Sequence, residues 1–139
     1  MREFDLSELN YTFHTKPLLI GGMAMEYYQL RPSGDDIDFV ITHNDYTALV
    51  QQYPDHTQDI FGDKGICVGK FEIWTSICLF DYHDLSPAAI EKPHYRIISL
   101  EKLLFLKALG MKESKYHTDL KLIVEKILNI QYGKDTLPE

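Results

Sequence analysis

Two aspartates stand inside a run of strand-forming residues in the segment DIDF, residues 36–39. Aspartate is depleted in β-strands, and successive strand side chains point to opposite faces of the sheet. Asp36 and Asp38 therefore share one face, with their carboxylates about 6–7 Å apart along the strand. At an effective dielectric constant of about 20, like charges at that distance repel by about 2–3 kcal/mol. This face must therefore be open to water or able to hold a cation.

The size and composition of the chain indicate one globular domain. The chain has 139 residues, of which 45% are hydrophobic, and we expect a single domain over residues 1–139. No apolar run is as long as a membrane span, and the first residues lack the apolar stretch of a signal peptide. Cys67 and Cys78 lie in apolar, strand-like segments. We therefore expect reduced core cysteines and a cytoplasmic protein that does not contact a membrane.

The net charge of −7 is spread unevenly along the chain. Residues 1–91 contain 15 acidic and 5 basic residues, whereas residues 92–139 contain 6 acidic and 9 basic residues. An acidic protein is a poor general binder of nucleic-acid phosphates. The asymmetry is compatible with a site in which the acidic part holds cations and the basic part meets a phosphorylated ligand.

Hydrophobic periodicity and chain breakers predict an α+β fold, with a mixed sheet of four to six strands and with helices early and late in the chain. Strands are expected over residues 18–21, 36–42, 58–62, 65–69, 70–80 and 94–98. Helices are expected over residues 23–30, 44–53, 100–110 and 115–131, and a further short helix is expected to open at Ser86-Pro87. Asn44 and Ser99 are the expected N-caps of the second helix and of the helix over 100–110. The last helix is expected to bury Leu120, Ile123, Val124, Ile127 and Leu128.

A third acidic residue, Glu72, lies between Phe71 and Ile73 in a second predicted strand. Carboxylate oxygens suit Mg²⁺, and two such ions can activate an attacking oxygen and stabilise a leaving one. Two simpler interpretations remain. The face that carries Asp36 and Asp38 is the hydrated side of a half-buried sheet, or Glu72 is an ordinary surface residue.

Gly21 and Gly22 close the first predicted strand, where bare backbone can approach a phosphate. The segment IGG at 20–22, followed after thirteen residues by DIDF at 36–39, resembles the signature of the nucleotidyltransferase superfamily, which has a DNA-polymerase-β-like fold. In that superfamily a third carboxylate lies between apolar residues on a later strand, and Glu72 fits this place although Asp is commoner there. The resemblance implies a mixed-sheet nucleotidyltransferase core with flanking N-terminal and C-terminal helices.

The second half resembles small bacterial members of the superfamily, related to abortive-infection and toxin–antitoxin nucleotidyltransferases. These often carry a helix with a lysine, followed by a Lys-Asp-x-x-Asp segment. In this chain Lys107 matches the helix lysine, and Lys115 and Asp119 match the first and last residues of the segment. Tyr116 stands in place of the first Asp. Lys107 lies on the apolar stripe of its helix, so its amine must reach either solvent or a ligand. Lys115 and Asp119 are four residues apart and form either an ordinary helix pair or part of a phosphate site.

The resemblance implies a metal-dependent nucleotidyltransferase that moves a nucleoside monophosphate from a nucleoside triphosphate to a hydroxyl acceptor on a tRNA, a protein or a small molecule. The expected catalytic and metal-binding residues, for Mg²⁺ or Mn²⁺, are Asp36, Asp38 and Glu72. Glu72 would also help to deprotonate the acceptor hydroxyl. The expected nucleotide-binding residues are Gly21, Gly22, Arg31, Lys107 and Lys115, with Lys107 neutralising developing charge. Arg31 is alternatively a solvated turn residue.

The main alternative is a catalytically inactive nucleotidyltransferase-like module that binds a nucleotide or a partner protein, for example in a toxin–antitoxin pair. A pure binding module would not need three carboxylates. The carboxylates are therefore the feature that separates the two hypotheses.

Overall fold

An α+β fold is seen in the computed structural model, which describes residues 1–60, 62–110 and 115–138, without the side chain of Lys115. The described residues form five helices, a seven-stranded mixed sheet and a separate two-stranded hairpin. The mixed α+β architecture is therefore confirmed. The sheet has one strand more than expected, because a short strand centred near residue 90 pairs with the predicted strand near residue 96 and forms the edge of the sheet.

The elements have the following bounds. The strands are β1 (Leu18–Ile20), β2 (Ile37–Val40), β3 (Thr57–Ile60), β4 (Asp63–Val68), β5 (Phe71–Trp74), β6 (Ser76–Ile77), β7 (Phe80–Asp81), β8 (Ile90–Glu91) and β9 (Arg96–Ile97). The helices are α1 (Gly21–Tyr27), α2 (His43–Gln52), α3 (Tyr82–Leu85), α4 (Leu100–Leu109) and α5 (Lys115–Gln131). Short 3-10 turns cover Leu6–Leu9 and Pro54–His56.

The strand β2 lies at the centre of the large sheet, whose order is β3-β4-β5-β2-β1-β9-β8. It pairs in parallel with β5 and antiparallel with β1. In this register Asp38 lies directly opposite Glu72 on one side and Ile20 on the other. Because residues opposite each other on neighbouring strands point to the same face, the two carboxylates lie side by side.

The opposite face of β2 and β5 belongs to the hydrophobic core. Ile37, Phe39, Phe71 and Ile73 are buried, and the rings of Phe39 and Phe71 stack with their centroids 6.3 Å apart. The alternation of strand side chains thus places large apolar groups on one face and the acids Asp38 and Glu72 on the other.

The short helix predicted after Ser86-Pro87 is wrong. The helix α3 ends at Leu85, and Ser86 is its C-terminal cap. Its N-cap is Asp81, whose side chain accepts from the main-chain N–H of Asp84, while Asp84 accepts from that of Asp81. This reciprocal capping box satisfies two helix-end donors at once and sets the start of the helix five residues earlier than the serine would.

The strand predicted over residues 70–80 is interrupted. The strand β5 ends at Trp74, and the chain then turns back on itself through the hairpin β6–β7. Cys78 and Leu79 form this turn with φ angles of 50° and 73°. Cys78 is therefore exposed, and its expected place in the core is wrong, whereas Cys67 is partly buried.

The two C-terminal helices were predicted closely. Ser99 caps α4, accepting a hydrogen bond from the main-chain N–H of Lys102, and α5 has the expected bounds. The N-cap of α2 is Thr42 and not Asn44. Val124 and Leu128 of α5 are exposed, contrary to expectation. None of the helices in the described ranges is both long and apolar enough to cross a membrane.

Candidate functional site

A pair of carboxyl groups, Asp38 and Glu72, occupies the polar face of the sheet where β2 and β5 begin. Both side chains are partly buried. The Oδ1 atom of Asp38 is buried and has no hydrogen-bond partner among the described residues. A buried carboxylate oxygen without a donor is costly, so this atom is a point where a bound cation would be stabilised.

Asp38 holds a proton more tightly than an ordinary aspartate. Burial, the hydrogen bond with Glu72 and the charges of Glu72 and Asp36 raise the pKa of Asp38 to about 8, against the opposing effect of Lys107. Without a cation, Asp38 therefore keeps its proton at neutral pH. A divalent cation placed between the same oxygens would replace that proton.

Gly21 allows the main chain to approach Asp38 closely. It has a φ of +66°, and a Cβ at this position would overlap the Asp38 carboxylate. Gly22 is different, because a Cβ there would lie 3.7 Å from Ser33 Cα, Gly34 N and Arg31 Nη1, which is ordinary contact. Gly21 is thus required by the geometry of the site, and Gly22 faces the loop that leads to β2.

A buried cluster of ionic groups, centred on Asp119, borders the carboxyl pair. The two oxygens of Asp119 accept from Arg31 Nε at 2.7 Å, Arg31 Nη2 at 2.9 Å and Lys107 Nζ at 2.9 Å. The Asp119 and Lys107 side chains are 5% and 8% exposed. The cluster joins α4, α5 and the loop before β2. Lys107 is therefore almost fully shielded from solvent. Arg31 is paired with Asp119, although 34% of its side chain stays exposed.

The pKa values in this cluster reflect burial and mutual attraction. Burial lowers the pKa of Lys107, although the nearby Asp119 opposes this effect. Burial acts to raise the pKa of Asp119, but the hydrogen bonds from Arg31 and Lys107 outweigh it and hold that pKa below its ordinary value. Asp119 is thus ionised at neutral pH, and it compensates one of the two adjacent positive charges.

The structure brings together some of the residues expected at the site and leaves others apart. Asp38, Glu72 and Gly21 meet directly, and Lys107 is near enough for its charge to act on Asp38. Asp36 is exposed at the end of the loop before β2, although its charge also acts on Asp38. The side chain of Lys115 lies outside the described residues.

No group of three or more His, Cys, Asp or Glu side chains in the described ranges is arranged to hold a metal ion. The Asp38–Glu72 pair nevertheless has the donor chemistry for a hard divalent cation, which favours carboxylate oxygens. Asp36 is the nearest acid in the sequence that could complete such a site.

Two contributors to the site were missed or left undefined at the level of sequence. Asp119 was expected either to pair with Lys115 or to belong to a phosphate site, whereas its partners in the structure are Arg31 and Lys107. It interrupts the buried stripe that leads to Ile123 and Lys126, and a carboxylate on such a stripe requires a counter-ion. Glu26, near the end of α1, accepts hydrogen bonds from the loop before β2. Nothing in the sequence around Glu26 distinguishes it from a solvated helix residue.

No protein-family model, curated protein or solved structure matches this chain. A functional interpretation therefore depends on the residues and contacts described above.

Proposed function

We propose that the protein is a metal-dependent nucleotidyltransferase, which moves a nucleoside monophosphate from a nucleoside triphosphate to a hydroxyl acceptor. The observation that carries the proposal is the Asp38–Glu72 pair, held side by side on neighbouring parallel strands beside the bare main chain of Gly21. This arrangement places cation ligands directly against the main chain at the start of α1.

The carboxylate oxygens of Asp38 and Glu72 have the donor chemistry that suits Mg²⁺ or Mn²⁺. Asp38 Oδ1 lacks a partner among the described residues, and Asp38 retains a proton that a cation would displace. When bound, the ion supplies a Lewis acid that polarises the phosphoryl group and stabilises the leaving oxygens. Asp38 and Asp36 would hold the ion against the triphosphate. Glu72 would accept the proton of the acceptor hydroxyl.

Lys107 and Arg31 supply positive charge beside this pair. A triphosphate bound near Gly21 and Gly22 would meet these cations, which are already oriented by Asp119. Because their side chains are held in place before the ligand arrives, little reorganisation is needed when negative charge develops on the phosphates.

A second candidate, an inactive nucleotidyltransferase-like binding module such as a toxin–antitoxin component, is favoured by one observation. Both Lys107 and Arg31 are already bound to Asp119, so their charges are partly compensated without any ligand. A module that only binds a partner through another surface would keep such a cluster for stability alone.

Calorimetry with Mn²⁺, Mg²⁺ and nucleoside triphosphates tests cation binding. We expect the wild-type protein to bind Mn²⁺ and a nucleoside triphosphate together. Asp38→Asn should abolish that binding, because one ligand and one negative charge are lost. The matched control is Asp55→Asn, a change of the same kind at an exposed aspartate in the Pro54–His56 turn. Equal binding by wild type and Asp38→Asn would place the ion elsewhere and overturn the proposed site.

Transfer is then followed with labelled nucleoside triphosphates and with tRNA, protein and small-molecule acceptors. Labelling of an acceptor by the wild type, lost in Asp38→Asn and retained in Asp55→Asn, would support the enzyme. The wild type could instead bind the cation and the nucleotide but label no more acceptors than Asp38→Asn does. The binding module would then be the better conclusion.

A further inference from the structure

The loop between α1 and β2, residues 28–36, ends at Asp36 and is fastened to several elements. Arg31 binds Asp119 on α5, as described above. Ser33 Cα and Gly34 N lie across from Gly22 at the start of α1. The loop therefore covers the first turn of α1, next to the face that carries Asp38. Where Asp36 points depends on how this loop is held.

Glu26 attaches the middle of the loop to α1. Its Oε1 atom accepts from the main-chain N–H of Ser33 at 3.1 Å, and the Ser33 hydroxyl lies 3.5 Å from the same oxygen. Its Oε2 atom accepts from the main-chain N–H of Arg2 at 2.7 Å. The hydrogen bonds from Arg2 and Ser33 lower the pKa of Glu26. One ionised carboxylate thus joins two main-chain segments.

The N-terminal segment that Glu26 holds also contacts the loop. Arg2 Nη2 donates to the main-chain oxygen of Asp35 at 3.3 Å, and Arg2 Nη1 lies 3.8 Å from Asp35 Oδ1. Phe4 fixes this segment to the fold, with its ring centroid 4.9 Å from Tyr95 and 5.6 Å from Phe39. Glu26 therefore restrains the loop directly through Ser33 and indirectly through Arg2, immediately before Asp36.

We propose that Glu26 is a positioning residue, which fixes the loop so that Asp36 is held beside Asp38 for cation binding. This inference rests on the proposed function. Asp36 is exposed and stands directly before β2, two residues from Asp38. An exposed carboxylate at the end of a free loop would lose conformational entropy on binding a cation, and the contacts of Glu26 reduce that cost in advance.

Glu26→Gln is the informative variant. An amide keeps the size of the side chain, but one of its two ends becomes a donor and faces a main-chain N–H of Arg2 or Ser33. One of the two attachments is therefore lost. The matched control is Glu125→Gln, the same change at an exposed glutamate of α5. Two measurements are made on the full chain: hydrogen exchange of the Ser33 amide without metal, and Mn²⁺ affinity by electron paramagnetic resonance.

We expect faster exchange of the Ser33 amide and a Kd for Mn²⁺ about 10-fold weaker in Glu26→Gln, which is the size of effect seen when outer partners of metal ligands are removed. Because Glu26 acts through Asp36, Glu26→Gln should have no further effect on Mn²⁺ affinity in a chain that already carries Asp36→Asn. A general loss of stability would instead weaken binding equally in both backgrounds.

The outcomes separate the two proposals. If the wild type binds Mn²⁺ and Glu26→Gln binds it equally well, or if the two changes add independently, the role of Glu26 is overturned while the proposed function stands. If the wild type and Asp38→Asn bind Mn²⁺ equally or not at all, the proposed function fails, and the role of Glu26 in cation binding fails with it.

Discussion

Asp38 is the residue whose position has the largest chemical consequence in this structure. It lies between the main chain of Gly21 and the carboxyl group of Glu72, on a strand that has neighbours on both sides. Asp38 would repel Asp36 by about 2–3 kcal/mol if both were ionised, but Asp38 instead keeps a proton. The raised pKa is thus a result of burial and of the pairing of β2 with β5.

This protonation makes stability depend on pH. In the metal-free protein the pKa of Asp38 is raised from 3.8 to about 8, so the folded chain retains a proton that the unfolded chain releases. The resulting stabilisation is complete below the lower value and is lost as the pH rises through the higher one. We expect the Tm of the wild type, measured in EDTA, to fall across this window relative to that of Asp38→Asn. A Tm difference that stays constant across the window would contradict the raised pKa of Asp38.

The two glycines beside Asp38 should respond differently to the same change. Gly21→Ala forces a side chain into the left-handed region and into the Asp38 carboxylate, so we expect it to lower the free energy of unfolding by about 2 kcal/mol or more. In Gly22→Ala the new Cβ would lie 3.7 Å from its nearest neighbours, so the free energy of unfolding should change by less than about 1 kcal/mol. Urea unfolding of the two variants provides the comparison. Equal losses would mean that the approach of Gly21 to Asp38 is not a structural requirement.

At the scale of elements, Asp119 connects α5 to α4 and to the loop before β2. The elements it joins come from distant parts of the chain, since Arg31 and Asp119 are 88 residues apart. The ionic bonds are largely shielded from water, and such bonds are costly to break on one side because a charge is then left buried without a partner. The cluster therefore fixes the relative placement of these elements as well as the cations of the site.

Asp119→Ala should consequently be the most damaging single change in the cluster. It leaves the ammonium group of Lys107 buried without its carboxylate, and we expect a loss of about 3 kcal/mol or more in the free energy of unfolding. Lys107→Met should cost less, because Asp119 keeps both hydrogen bonds from Arg31. Urea unfolding measures both, with Glu125→Gln as an exposed control. A Lys107→Met variant as unstable as Asp119→Ala would show that Arg31 does not compensate Asp119.

For the whole molecule, the fold brings the two differently charged parts of the sequence to one place. Asp36, Asp38 and Glu72 come from the acidic residues 1–91, whereas Lys107 and Asp119 come from the basic residues 92–139. The proposed site therefore has cation ligands and anion-binding groups side by side. The surplus of acidic groups elsewhere keeps the net charge at −7.

That net charge should limit binding to long nucleic acids through phosphates. We expect a Kd weaker than about 10⁻⁵ M for generic duplex or single-stranded RNA at physiological salt, because few phosphates can be neutralised. Fluorescence anisotropy with labelled RNA across a range of salt concentrations measures this. Tight binding that weakens steeply with added salt would contradict the expectation, whereas recognition of a short RNA end would remain compatible with it.

Local patterns in the sequence predicted most of the elements near the site. The alternation in DIDF and FEI placed acids and apolar residues on opposite faces, and Ser99 marked the start of α4. These features depend on the preferences of residues within a few positions of each other, which a sequence displays directly. The same local rules failed at Ser86-Pro87, because the capping box of Asp81 and Asp84 satisfies two backbone donors, whereas a serine N-cap by itself would satisfy one.

Tertiary structure alone decided which distant groups meet. The sequence contains Asp38 and Glu72, but the register of β2 against β5 places them side by side, and this contributes to the raised pKa of Asp38. It contains Lys107, but the packing of α4 against α5 gives that lysine Asp119 as its partner instead of solvent. Glu26 likewise gains its role only when the loop folds back over α1. Side-chain charge and local periodicity are properties of the chain itself, whereas pKa values and ion-pair partners depend on burial and on distances between residues far apart in sequence.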